Sequence, residues 1–136
     1  MTTQVQIEQP QLQPGARKRL ESERQGITHR FNIAGLRGYI TVGLYKDGTP
    51  GELFIRVAKC GSTLAGLLDS LAIAVSLGLQ HGISLHTFAA KYIDSRFEPS
   101  GLSGPEFGEV SSIVDYIFRW LTKKFPEAGI AMRRPI

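Results

Sequence analysis

Apolar and polar positions alternate three times in the first half of the chain. Ile27, His29, Phe31 and Ile33 alternate with Thr28, Arg30 and Asn32. Successive side chains of a strand point to opposite faces, so this period of two predicts a half-buried strand. The segment GYITVGLYKDG repeats it, with Ile40, Val42 and Leu44 on one face and Tyr39, Thr41 and Tyr45 on the other. GELFIRVAK gives a third strand, with Leu53, Ile55 and Val57 inward and Phe54 and Arg56 outward. The links, residues 34–38 and 46–51, carry the glycines that tight antiparallel turns need. The expected unit is a three-stranded antiparallel meander with one packed face and one open face.

The period then changes to that of a helix. Ser62 or Thr63 is expected to cap a first helix that runs to about Leu79 and stops at Gly82. It is apolar on nearly every side, which predicts a buried central helix. A shorter helix is expected from about Ser84 to Tyr92. A third, from Glu109 to Phe125, carries Val110, Ile113, Val114, Ile117 and Leu121 at helical spacing. Between them, DSRFEPSGLSGPEFG reads as a structured loop. The fold class is therefore α+β, a meander followed by three helices. Residues 1–24, rich in Gln, Pro and charge, read as a mobile leader. Residues 25–125 form a single domain, and 126–136 a basic tail.

Composition narrows the function classes. The chain has 136 residues, 42% hydrophobic and 21% charged, which suits one globular domain. One cysteine, Cys60, excludes an internal disulfide and a Cys-rich zinc site. With no apolar export signal in the leader, it points to the cytoplasm. No membrane association is expected, because the run that comes closest to a span, Leu71 to Leu79, is too short and lies inside a longer pattern. The net charge is +4. From Arg119 onward, five basic residues face only Glu127, so the tail accounts for the whole excess. No aromatic residue is interleaved with those charges after Phe125, so direct nucleic-acid binding is not expected.

The candidate chemistry lies where the third strand meets the first helix. Lys59-Cys60-Gly61-Ser62-Thr63 leaves a strand and opens a helix, whose free N–H groups and positive dipole end favour an anion. Gly61 lets backbone approach a ligand, Lys59 adds charge, and Ser62 and Thr63 add hydroxyls. The order and spacing of a Walker A loop are missing. The alternative is that the segment only turns the chain and caps the helix. Arg96 and Phe97 in the long loop, and Arg30 and Tyr39 on the sheet, complete the candidate set for a phosphate-bearing ligand, with Phe97 or Tyr39 stacking on a base. Asp69, in the apolar helix, reads as a buried carboxylate that accepts from Arg96, Arg30 or a backbone amide, or faces the ligand. Catalytic residues are not found: His29, His81 and His86 are scattered, and no HExxH or G-x-S-x-G is present. No metal site is expected.

The strings Asp47-Gly, Pro50-Gly-Glu52, Gly61-Ser-Thr-Leu64, Arg96-Phe-Glu-Pro99 and Asp115-Tyr-Ile-Phe118, in order from Arg24 to Leu121, resemble the C-terminal TSCPD domain of adenosylcobalamin-dependent (class II) ribonucleotide reductases. The resemblance implies that the radical cysteine, the reducing cysteines and the cobalamin contacts belong to a catalytic barrel or a Cys-rich tail, and none can be placed here. It thus implies no cofactor on this chain alone, adenosylcobalamin only through a reductase partner, and no ribonucleotide reduction by this chain alone. The expected function is that of a free-standing, non-catalytic nucleotide-binding accessory domain that acts with or regulates a reductase catalytic subunit. The alternative is an autonomous, homo-oligomeric nucleotide sensor or sponge, for example phage-encoded. Self-association is expected in either case from the outward Tyr39, Tyr45 and Phe54.

Overall fold

The computed structural model describes residues 15–126. Strands β1 (Gly26–Ile33), β2 (Leu36–Leu44) and β3 (Pro50–Val57) form an antiparallel sheet in the order β1-β2-β3. Helices α1 (Ser62–Gln80) and α2 (Leu85–Tyr92) follow, then two-residue strands β4 (Gly101–Leu102) and β5 (Glu109–Val110), which pair with each other, and finally α3 (Ile113–Lys124). The α+β meander with three following helices is as the sequence predicts.

The alternation fixes the layers. Phe31, Ile33, Ile40, Val42, Leu53 and Ile55 are buried on one face. Leu68, Ala72 and Val75 of α1 are buried on the β3 side, while Tyr116 and Trp120 of α3 stack beside Phe31 and His29 on β1. The opposite face, with Arg30, Tyr39, Phe54 and Arg56, is left to solvent.

Helix α1 is not the buried central helix. Only Leu68, Ala72, Val75 and Gln80 are buried along it, whereas Leu67 and Ile73 are 64% and 62% exposed. Apolar composition all round says which helix can be buried, not what covers it; here one stripe meets the sheet and the rest meets water. The helix also has 19 residues with Asp69 its one charge, so by length and composition it is apolar enough to cross a bilayer, which the shorter run Leu71–Leu79 does not suggest. The buried helix is α3, in which every residue from Ile113 to Phe118, together with Trp120 and Leu121, is buried. Each large side chain of that set contributes about 1.5–3 kcal/mol of transfer free energy.

The helix ends differ from expectation for local reasons. Neither Ser62 nor Thr63 caps α1: the cap residue is Gly61, and no side chain accepts a bond there. The other end closes on Gly82 at φ +92, where the N–H groups of Gly82 and Ile83 donate to the carbonyls of Leu79 and Gly78. That is a Schellman closure, which needs the left-handed residue that glycine supplies. Ser84 and Ser112 are true caps, accepting from the N–H of Thr87 and Asp115. Helix α3 starts at Ile113 rather than Glu109, because Glu109 and Val110 pair with β4.

Residues 15–24, expected to be mobile, are tied to the domain. Lys18 N–H donates to the Gln80 carbonyl at 2.7 Å, Arg17 to the Gln80 side chain at 2.7 Å, and Arg24 pairs with Glu52 at 2.6 Å. Tyr45 is withdrawn from the open face, because the β2–β3 register shifts between Gly43 and Leu44 and its hydroxyl donates to the Lys18 carbonyl. The rest of the leader and the tail from Glu127 lie outside the described residues.

Candidate functional site

Cross-strand register builds the site. Arg30 of β1 lies opposite Tyr39 of β2, and Tyr39 lies opposite Arg56 of β3. The three side chains therefore form one lateral row on the solvent face, across two strand spacings or about 10 Å. Arg37, two residues before Tyr39, stands on the same face one row along, opposite Asn32. These residues line a cleft of about 890 Å³, which also reaches His29, Ser103, Glu106 and Tyr116 at the β1 edge. Gly38 forms part of the cleft wall. A Cβ there would collide with the Arg56 carbonyl and the Phe31 ring, so β2 can lie this close only without a side chain.

The cleft is cationic. Arg30, Arg37 and Arg56 are exposed and make no ion pair among the described residues. Glu106 at the cleft edge is held by Lys123 at 2.6 Å. Three guanidinium groups around an exposed phenol ring can fork onto phosphate or carboxylate oxygens and leave a flat face for stacking. At the inner edge, His29 Nε2 lies 2.7 Å from the Tyr116 hydroxyl, and its ring stacks on Trp120 at 4.7 Å. Burial pushes His29 below the usual histidine range; Glu106 opposes this and Lys124 adds to it. Burial likewise pushes the Tyr116 phenol up, with Glu106 adding to it.

The other sequence candidates are distributed differently. Lys59, at φ +55, lines a separate cavity of about 440 Å³ with Arg37, Ala58, Cys60, Leu64 and Pro99. Gly61, Ser62 and Thr63 are exposed and line none of the larger cavities. Arg96 and Phe97 are exposed, and Pro99 of the same loop lines the cavity of Lys59. Asp69 is not a buried carboxylate: it is exposed, makes no ion pair with Arg30 or Arg96, and lines a groove with Arg17 and Gln80. The buried carboxylate is Asp115, 1% exposed, which accepts from the N–H of Asp94 and Ser111 and from Arg119 Nε at 2.6, 2.9 and 2.9 Å. It ties the loop before β4 to α3.

Thus Arg30 and Tyr39 are brought together, and their partners Arg37 and Arg56 were outside the sequence-based set. Each sits two positions from an outward aromatic, Arg37 from Tyr39 and Arg56 from Phe54, which is the signal that places them on the same face. Among the described residues no three metal-ligating side chains cluster.

The family model of the TSCPD domain matches residues 10–125. Similar proteins include the vitamin B12-dependent ribonucleotide reductase of Rhodopirellula baltica, 49% identical over 106 residues, covering 77% of this chain and 10% of that one. The enzyme of the same name from Streptantibioticus cattleyicolor is 49% identical over 110 residues, covering 80% of this chain and 18% of the relative. That of Agrobacterium fabrum is 34% identical over 111 residues, 80% and 9% of the two chains. No solved structure matches. The chain belongs to the TSCPD domain family, and its domain is related to a segment of vitamin B12-dependent ribonucleotide reductases. It spans a tenth to a fifth of the length of these two first relatives.

Proposed function

We propose that this chain is a non-catalytic accessory domain that serves a ribonucleotide reductase body and holds a nucleotide on its open sheet face. The carrying observation is the row Arg30–Tyr39–Arg56, with Arg37 beside it, on the wall of the 890 Å³ cleft. Guanidinium groups take the phosphates, Tyr39 takes the base, and the backbone of β2 supplies the floor. Lys59 becomes a flank of this site, joined to it through Arg37 and Ala58, which line both cavities, whereas Gly61, Ser62 and Thr63 lie outside both.

The apolar side of α1 supports docking on the reductase body. Leu67, Ile73 and Leu77 are exposed along it. In the relatives this domain is a small part of a much longer chain, so most of each relative is available to cover that side. The test joins the two halves of the reading. Calorimetry with a panel of ribo- and deoxyribonucleotides measures the site, and co-purification with a reductase body from which this domain is deleted measures docking. Binding of at least one nucleotide, and recovery of the complex with wild type but not with Leu67→Ser/Ile73→Ser, are expected.

A further inference from the structure

The expectation against nucleic acid rests on the basic tail, where no aromatic ring accompanies the charges. The sheet has what the tail lacks. Thr28, Thr41 and Phe54 form the row next to Arg30, Tyr39 and Arg56, so Tyr39 and Phe54 are diagonal neighbours on adjacent strands. Both are 46% exposed. On the other side of the arginine row stands Arg37, and beyond it Lys59, in the adjoining cavity that shares Arg37 and Ala58 with the main cleft. Arg30, Arg56, Arg37 and Lys59 make no ion pair among the described residues. The arginines thus share the open face with two rings, Tyr39 standing between Arg30 and Arg56 and Phe54 in the next row, while Lys59 extends the cationic surface into the adjoining cavity.

We infer that this face binds single-stranded nucleic acid, its phosphates following Arg30, Arg56, Arg37 and Lys59 while successive bases stack on Tyr39 and Phe54. The inference rests on the nucleotide reading of the same site and extends it from one nucleotide to a short run. Two stacking rings and these cations exceed what one nucleotide occupies. Ring faces on a flat sheet reach only unpaired bases, which excludes a duplex. Stacking is tolerant of base identity, so little sequence preference is expected.

The experiment is fluorescence competition at 50 and 200 mM salt, with dTTP, oligo-dT of 2, 4 and 8 nucleotides, and polyglutamate as a polyanion without bases. The expected result is an affinity at least tenfold higher for the 4-mer than for dTTP. Log affinity should fall with log salt at a slope of about −2 to −3, as three or four phosphate contacts give for single strands. Tyr39→Ala and Phe54→Ala should each weaken 4-mer binding about five- to a hundredfold, with circular dichroism unchanged and Tyr39→Phe restoring binding. Equal affinity for dTTP and the 8-mer would overturn the inference and leave the nucleotide reading standing. Binding of neither overturns both. Polyglutamate bound as tightly as the 8-mer, with Tyr39→Ala silent, overturns it in favour of an acidic protein surface.

Discussion

Arg30 and Arg56 stand on the two outer strands of the sheet, on either side of Tyr39, and face solvent without an acidic partner among the described residues. Three uncompensated guanidinium groups, with Arg37, repel one another and gain little from the fold. Their removal should therefore cost ligand and not stability. Arg30→Ala and Arg56→Ala are expected to leave the unfolding free energy from urea titration within about 0.5 kcal/mol of wild type.

Asp115 behaves in the opposite way. Its carboxylate is buried and accepts two backbone N–H groups and Arg119. Asp115→Ala leaves those donors unpaired and should cost about 3–5 kcal/mol. Arg119→Ala removes one charged donor but leaves both backbone N–H groups on Asp115, and should cost less, about 1.5–3 kcal/mol. Chemical denaturation of the two variants measures the difference.

The caps give a second contrast. Ser62→Ala should change stability by less than about 0.5 kcal/mol, since its side chain caps nothing. Ser112→Ala should cost about 1–2 kcal/mol, because the fully buried hydroxyl accepts from Asp115 N–H and donates to the Ser95 carbonyl. Thermal melts of the pair check this.

His29 sets a pH dependence. Its folded pKa lies below the unfolded value because burial disfavours the charged ring. Between the two values the unfolded chain binds more protons, so stability rises with pH there. The contribution is full above about pH 6.5 and is lost as the pH falls through the folded pKa. Melting between pH 7.5 and 5 should show this decline, and His29→Phe should flatten it. Asp47, whose carboxylate is held low by the Thr49 hydroxyl and N–H, acts only at more acidic pH.

The strands were legible because period two is a local property, and Phe31, Ile40, Val42 and Ile55 fall inside as it requires. The burial of α1 was not legible, because apolarity on every side of Leu67 and Ile73 does not say which side the sheet meets. The pairing of Gly101 with Val110 and of Leu102 with Glu109 rests on strands too short to carry a pattern. Asp69 and Asp115 exchanged roles for the same reason as α1 and α3: a carboxylate among apolar residues is buried only if another element covers it. At the site, residues near in sequence, such as Lys59 and Thr63, drew attention. The row Arg30–Tyr39–Arg56 spans three strands and exists only through register.

The most direct measurement of the central claim is calorimetric titration of nucleoside mono-, di- and triphosphates into wild type, Arg30→Ala, Arg56→Ala and Arg96→Ala. At least one nucleotide is expected to bind wild type with a submillimolar Kd. Loss of Arg30 or Arg56 should remove about 1.5–3 kcal/mol, roughly ten- to a hundredfold in Kd, and Arg96→Ala should change little. Absence of binding to wild type, or binding that survives loss of both sheet arginines, would contradict that claim.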